Sequence, residues 1–283
     1  MVKLSLGRVV LIFWGMLLSI YVCAQDNEQT IVYASGSGIS LEVLKHEMTP
    51  IASFFADKGR PLKIIQAGSI KEFLDWADDK KFDINFVGPE MAYLLSTYYN
   101  YKPLLQTKAP NRFVVVTRRR GASIRSEGVT LILQKNDLLA RYVAEHSLSF
   151  KDLEYHSTIE NVLISLLKTP KRIALMEAND ILLLPNDLRK KLHWRELESY
   201  PPYVVMCRES SSVSCDTIKN WLLELHINWN DPGGTYTYMN SLTLKPCCNF
   251  SEFIAPEIQR YIDNILLDDY GVDLPQNKNM VKK

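Results

Sequence analysis

Between residues 30 and 101, short β-rich runs alternate with amphipathic helical runs, and no other feature restricts the fold of this 283-residue chain so much. Thr30 to Ala34 is a β-rich run that passes into Ser35-Gly36-Ser37-Gly38. Behind Ser40, a helix N-cap, Leu41, Leu44, Met48, Ile51 and Phe55 then recur at helical spacing. Gly59 closes that helix and Pro61 to Gln66 reads as a second strand. Ser69-Ile70-Lys71-Glu72 matches a capping box, opening a helix that turns Phe73, Leu74 and Ala77 inward. The third pair is FDINFVGPEMAYLL, where a strand from Phe82 to Val87 runs through Gly88-Pro89 into a helix. Strand–helix pairs in this order predict a parallel sheet with helices on its faces, and ligands beyond the carboxyl ends of its strands. Ser35 to Ser40 and Gly88 to Tyr93 both emerge at that edge.

From Lys102 the pattern changes to consecutive strands, Lys102 to Thr107 and Arg112 to Arg118, followed by a polar stretch at Arg119, Arg120, Gly121 and Ser123. A first crossing between two lobes is expected there. Val129 to Leu133 restarts the α/β alternation, and Asn136 or Asp137 caps a helix that carries Leu138, Leu139, Tyr142 and Val143 on one side. Ser157-Thr158-Ile159-Glu160 reads as a second capping box ahead of Val162, Leu163, Leu166 and Leu167. Arg172 to Met176 and Tyr203 to Cys207 are further strands, the latter the expected return crossing. The expected organisation is a first lobe from residues 25–117 and 206–275, a second lobe from 118–205, and a flexible polar tail at 276–283.

The N-terminus carries Lys3 and Arg8 and then an uncharged run from Val9 to Ala24, the pattern of a secretory signal peptide with cleavage after Ala24. Those sixteen residues fall short of the roughly 20 needed to span a bilayer as a helix. The whole chain has 33 basic and 32 acidic residues, so loss of Lys3 and Arg8 leaves a mature chain with one acidic group in excess. Such a balance gives no ground for nucleic-acid binding. Residues 25–283 exceed a typical single domain of about 100–150 residues and can bury two modest cores.

The order of pieces from about Ile31 to Leu225, clearest over Ile31 to Thr117 and in DINFVGPEMAYLL, resembles the type II periplasmic binding proteins. Within them it is similar to the phosphate, phosphite and phosphonate-binding branch of transporter solute receptors. The resemblance implies an α/β fold of two lobes, each a mainly parallel sheet flanked by helices, joined by two crossover strands and closing over a small ligand. It implies Ser37, Gly38, Gly88, Pro89, Glu90 and Tyr93 as ligand contacts from the first lobe. From the second lobe it implies Gln134 to Asp137, with Gln134 and Asn136 as contacts, together with Glu177 and Asn179. Phosphonate-binding members have a Ser-Thr-Ser-Gly-like turn where this chain reads Gln134-Lys135-Asn136-Asp137. Free N–H groups and the helix dipole make such a turn an anion site. Here Asp137 can occupy that field as a cap and would repel a phosphoryl group, although Lys135 offsets part of the charge. The family's linking motif rich in Leu, Lys and Gly is replaced by Arg125-Ser126-Glu127-Gly128.

After signal removal four cysteines remain, Cys207, Cys215, Cys247 and Cys248, an even number that permits disulfides in an exported chain. A bridge between the adjacent Cys247 and Cys248 would close a strained ring. Pairing of Cys207 and Cys215 with that adjacent pair is expected instead, stapling the C-terminal segment to the returning strand. The histidines form no H-E-x-x-H pair, and no cysteine spacing matches a closed zinc motif, so neither enzyme chemistry nor a cofactor is expected. Arg118 to Arg120 read as a solvated strand end. Ser214 to His226 is an amphipathic helix, and Ile258, Tyr261, Ile262, Ile265 and Leu266 mark a final one; both are expected to complete the first lobe. The expected function is capture of a small polar or anionic ligand, phosphonate- or phosphate-like by resemblance, in the periplasm for an ABC permease. The alternative is a periplasmic sensor that signals occupancy to a membrane-bound kinase or cyclase.

Overall fold

The structure, a computed structural model, describes residues 30–36, 38–122, 127–231, 236, 243–247 and 254–275. The expected signal peptide, Ser37, Cys248 and the 276–283 tail lie outside the described residues.

The first half folds as three strand–helix pairs, β1 (Ile31–Ser35) with α1 (Leu41–Asp57), β2 (Leu62–Gln66) with α2 (Ile70–Asp78), and β3 (Ile84–Val87) with α3 (Pro89–Tyr98). Ser40 caps α1 by accepting from the Val43 N–H, and Ser69 caps α2 by accepting from the Glu72 N–H. The Glu72 carboxylate reaches back past the N-cap to the Gly68 N–H at 2.7 Å, one residue before the N–H that a capping box would use. Gly88 and Pro89 open α3 without a side-chain cap, with the proline at the first position, where its missing N–H costs nothing. Phe73, Phe82 and Tyr101 stack in series, with centroids 5.1 and 4.9 Å apart, and bind α2 to the sheet.

After β4 (Tyr101–Thr107), the chain makes β5 (Asn111–Thr117), β6 (Thr130–Gln134), α4 (Leu138–Ser147), β7 (Asp152–His156), α5 (Ile159–Lys168) and β8 (Arg172–Glu177). A 3-10 turn (Ala178–Leu183), α6 (Asn186–Arg189), β9 (His193–Tyr200), β10 (Val204–Arg208), α7 (Cys215–Asn228), β11 (Leu244–Pro246) and α8 (Pro256–Tyr270) complete it. Two sheets result. The first has the order β11-β4-β10-β3-β1-β2 and the second β7-β6-β8-β5-β9. Each is mixed, and parallel pairing is confined to β2, β1 and β3 in one and β7, β6 and β8 in the other. β10 returns antiparallel between β3 and β4, and β5 lies antiparallel to both β8 and β9.

Five expectations change. The first crossing lies between Thr107 and Asn111, not after Arg118, because β5 pairs in the second sheet. Strand periodicity marks β5 but carries no information about its partner, and Pro110 was the local sign of the break. The return crossing correspondingly falls between Tyr200 and Val204. The disulfide joins Cys207 to Cys215, with Cα atoms 5.8 Å apart, since the turn after β10 folds the start of α7 back on the strand end. The residue pair Ser157–Glu160 forms no capping box. Thr158 is the N-cap, and the Glu160 carboxylate accepts instead from the Ser40 N–H of the other lobe at 2.8 Å. Finally, α8 does not belong to the first lobe alone. Tyr93 and Tyr98 of α3 both donate to its Asp263, at 3.0 and 3.2 Å. On the second lobe its Tyr261 donates to Glu145 at 2.9 Å, its Tyr270 donates to the Lys135 carbonyl at 2.7 Å, and Asp269 pairs with Arg141.

The place of β10 is fixed by a buried charge network. Asp83 accepts from the Val32 N–H at 2.9 Å and pairs with the Arg208 guanidinium, which also donates through Nε to the Phe82 carbonyl at 2.9 Å. These bonds join β1, the entry to β3, and the end of β10. Removing one member of a buried pair strands the other charge and costs about 3–5 kcal/mol. Arg208→Ala is therefore expected to lower the urea-unfolding free energy by about that much, and the double variant Asp83→Asn, Arg208→Leu to recover part of the loss.

Candidate functional site

The carboxyl ends of β1 and β3 in the first lobe face the ends of β6 and β8 in the second, as expected for opposed α/β sheets. Between them lies a cavity of about 270 Å³. Of the expected contacts, Gly38, Gly88, Glu90, Gln134, Asn136, Glu177 and Asn179 line it. Pro89 is buried and does not line the cavity; it starts α3 and so aims the helix N-terminus. Tyr93 is one turn further on, with its hydroxyl turned to Asp263 of α8 rather than to the cleft. Sequence spacing from Glu90 did not reveal that face, because the partner helix lies 170 residues away.

The lobes meet directly over one edge of the cavity. The Ile159 N–H at the start of α5 donates to the Gly38 carbonyl at 2.9 Å, beside the Ser40–Glu160 bond. A Cβ at Gly38 would run into the far end of the Gln134 side chain, which would have to swing aside. Gly88 has a similar neighbour: its Cα is covered by the Glu90 carboxylate, whose oxygens would lie 2.5 and 2.6 Å from an added Cβ.

Carboxylates dominate the chemistry. Glu90 sits in the first turn of α3 and is nearly fully buried. Burial first, and the charge of Asp137 second, push its pKa up to about 8, while its own backbone N–H pulls the other way. Asp137 caps α4, accepting from the Ala140 N–H at 2.7 Å, and burial raises its pKa to about 6 against the bonds from the Ala140 and Leu139 N–H groups. The N-termini of α3 and α4 at the cavity thus each carry an acidic side chain of the chain itself. Glu177, at the end of β8, is also pushed well up by burial and by the charges of Asp180 and Asp137. It accepts from the Asn111 side-chain amide at 2.8 Å and the Tyr203 hydroxyl at 2.6 Å, one from each segment that crosses between lobes.

Several lining residues were not read from the sequence. Asn85 is fully buried on β3, and neither its amide nitrogen nor its oxygen has a hydrogen-bond partner. Its signal was a lone polar residue in the run Ile84-Asn85-Phe86-Val87. Tyr203 stacks on Phe86 with centroids 5.1 Å apart, and both border the cavity. Beyond the polar end the cavity extends along Leu44, Met48, Leu222 and Leu225, between α1 and α7. Arg118 to Arg120 take no part in it. They follow the end of β5 opposite to Asn111, roughly 20 Å away at about 3.3 Å per residue.

No protein-family model matches the sequence, and no curated protein matches it either. Solved structures do. A binding protein component of an ABC phosphonate transporter from Pseudomonas aeruginosa superposes with a TM-score of 0.61 at 15% identity, covering 77% of this chain and 81% of that one. PhnD1 from Prochlorococcus marinus, in complex with methylphosphonate, gives 0.64 at 12% identity over 84% of this chain and 100% of that one. XAC2383 from Xanthomonas citri, bound to ATP, gives 0.60 at 16% identity over 84% and 98%. At such identities the likeness establishes the fold, which is that of the type II periplasmic binding proteins.

The raised carboxyl pKa of Glu90 has a consequence for stability. Its usual value is 4.5 and its folded value about 8, so the folded state holds the proton more tightly. The associated stability is full below about pH 4.5 and is lost as the pH rises through 8. Glu90→Gln, which mimics the protonated form, is expected to raise the melting temperature of the ligand-free protein by more at pH 8.5 than at pH 5.5. The difference should be at least about 2 °C, the shift that ~1 kcal/mol produces in a domain of this size.

Proposed function

We propose that this chain is an exported solute-binding protein that holds one small ligand between its lobes, presents it to the permease of an ABC importer, and carries out no chemistry. The observation that carries this reading is the cavity at the opposed strand ends, to which both lobes contribute polar groups: Gly88, Asn85 and Glu90 from one, Gln134, Asp137 and Glu177 from the other. A ligand touching both walls favours the closed arrangement over an open one by the difference in its contacts, which is the physical basis of capture by closure. The cavity lies near the lower end of the usual small-molecule range of about 300–1,000 Å³. Lys3 and Arg8 ahead of the uncharged run from Val9 to Ala24, the pattern of a cleaved signal peptide, support export to the periplasm. A phosphonate- or phosphate-like ligand fits the cleft poorly, because Glu90 and Asp137 stand at the two helix N-termini where its oxygens would be held.

Thermal unfolding of residues 25–283 against phosphate, phosphonates, amino acids, organic acids and amines tests the reading. A ligand at 100 times its Kd adds about 2.7 kcal/mol to the native state. Gly38→Trp, which places a side chain where the Gln134 amide now lies, is expected to remain folded by circular dichroism yet to lose that stabilisation. A response that survives in Gly38→Trp would place the ligand outside the cleft.

A further inference from the structure

Resting on the receptor reading above, we infer that the ligand is an organic cation, an amine carried on an apolar body and lacking any phosphoryl or carboxylate group. Four features of the cleft point to it.

The first is charge. Glu47, Glu90, Asp137, Glu177 and Asp180 border the cavity, and no lysine or arginine does among its described lining residues. An anion would enter a site with no guanidinium or ammonium partner, where acidic side chains from both lobes are already held toward their neutral forms by burial and by one another. An ammonium group gains where an anion loses. It supplies donors only, and its charge favours the ionised forms of these carboxyl groups, whose oxygens then accept from it.

The second feature is Asn85. A fully buried side-chain amide with both ends unbonded is costly, and such groups normally have partners. Because Asn85 borders the same cavity as Glu90, a ligand there can satisfy its oxygen, which accepts from an ammonium N–H, while its amide nitrogen, a donor, needs an acceptor such as an ionised carboxylate of the cleft. This is a signal separate from the acidic cluster, since it concerns a neutral residue whose burial has no structural compensation.

The third is the wall. Tyr203 stacked on Phe86 offers aromatic surface to the cavity, and a desolvated cation is attracted to a ring face. The fourth is the extension of the cavity along Leu44, Met48, Leu222 and Leu225, which suits an aliphatic or aromatic body and not a hydrated ion. A bare metal ion is a poor alternative, as no group of three or more His, Cys, Asp or Glu side chains among the described residues is placed to hold one.

The test is isothermal titration of the mature 25–283 protein with four amines (hexylamine, phenethylamine, 1,5-diaminopentane and ethanolamine), with methylphosphonate and inorganic phosphate, and with ammonium chloride at matched ionic strength. The expected result is saturable 1:1 binding of one or more of the apolar amines, tighter than ethanolamine, with no binding of the phosphoryl compounds. Glu90→Gln and Asp137→Asn, the latter keeping a helix-capping side chain, should each weaken amine binding at least tenfold. Asn85→Leu should weaken it while leaving the protein folded by circular dichroism. Binding of methylphosphonate or phosphate without the amines would overturn the cation inference and leave the receptor reading standing. Equal amine affinity in the wild type and in Glu90→Gln would overturn it as well, by removing the cleft from the interaction. Silence toward every probe overturns the inference, and silence of a folded protein across the wider panel overturns the receptor reading with it.

Discussion

One carboxylate, that of Glu177, holds the relation between the lobes on which everything else depends. It is buried, and it accepts from Asn111 at the start of one crossing segment and from Tyr203 at the end of the other. A carboxylate taken from water must be hydrogen-bonded to be tolerable, so both crossings are drawn to the same point at the base of the cleft. Tyr203 in turn stacks on Phe86 of β3, tying the hinge to the central strands of the first sheet. The side chain that anchors the hinge also borders the cavity. Any ligand that alters the charge state or the bonds of Glu177 therefore acts on the joint about which the lobes would move.

Closure is reinforced away from the hinge. The loop after β1 meets the start of α5 through a backbone bond from Ile159 to Gly38 and through the reach of Glu160 to Ser40. On another face α8 bonds to α3 through Asp263 and to α4 and its approach through Tyr261, Asp269 and Tyr270. These contacts are polar and partly exposed, and such bonds contribute modestly one by one. A closed state held mostly by bonds of this kind can be shifted by the contacts of a single ligand, provided that those contacts reach both lobes.

Much of the fold was legible along the chain because the relevant forces are local. Apolar spacing gave the helices at Leu41–Asp57, Ile70–Asp78 and Pro256–Tyr270, and the capping residues Ser40, Ser69 and Ser214 stand where the helices begin. Strand–helix alternation put the loops of Gly38, Gly88 and Glu90 at one edge, while Gln134 and Glu177 were implied by the family resemblance alone; all five line the cavity. What could not be read were partners. Glu160 looked like a capping-box residue and bonds to Ser40 across the cleft; Cys207 pairs with Cys215 rather than with the distant cysteines; Tyr93 points to Asp263. For Glu160 and Tyr93 the partner came from far along the chain; for Cys207 it came from the turn directly after the strand, which the count of cysteines could not single out.

By itself, the sequence determined the alternation of strand and helix and the positions of most helix starts. Those are consequences of side-chain periodicity and of hydrogen bonds made within a few residues. Only the tertiary structure decided that β5 joins the second sheet, that Glu90 and Asp137 face one another from opposite lobes, and that Asn85 is left buried beside them without a partner. The physical reason is that desolvation and charge–charge repulsion depend on what is packed around a group, and burial of carboxylates from both lobes in one cavity exists only once the two sheets have come together.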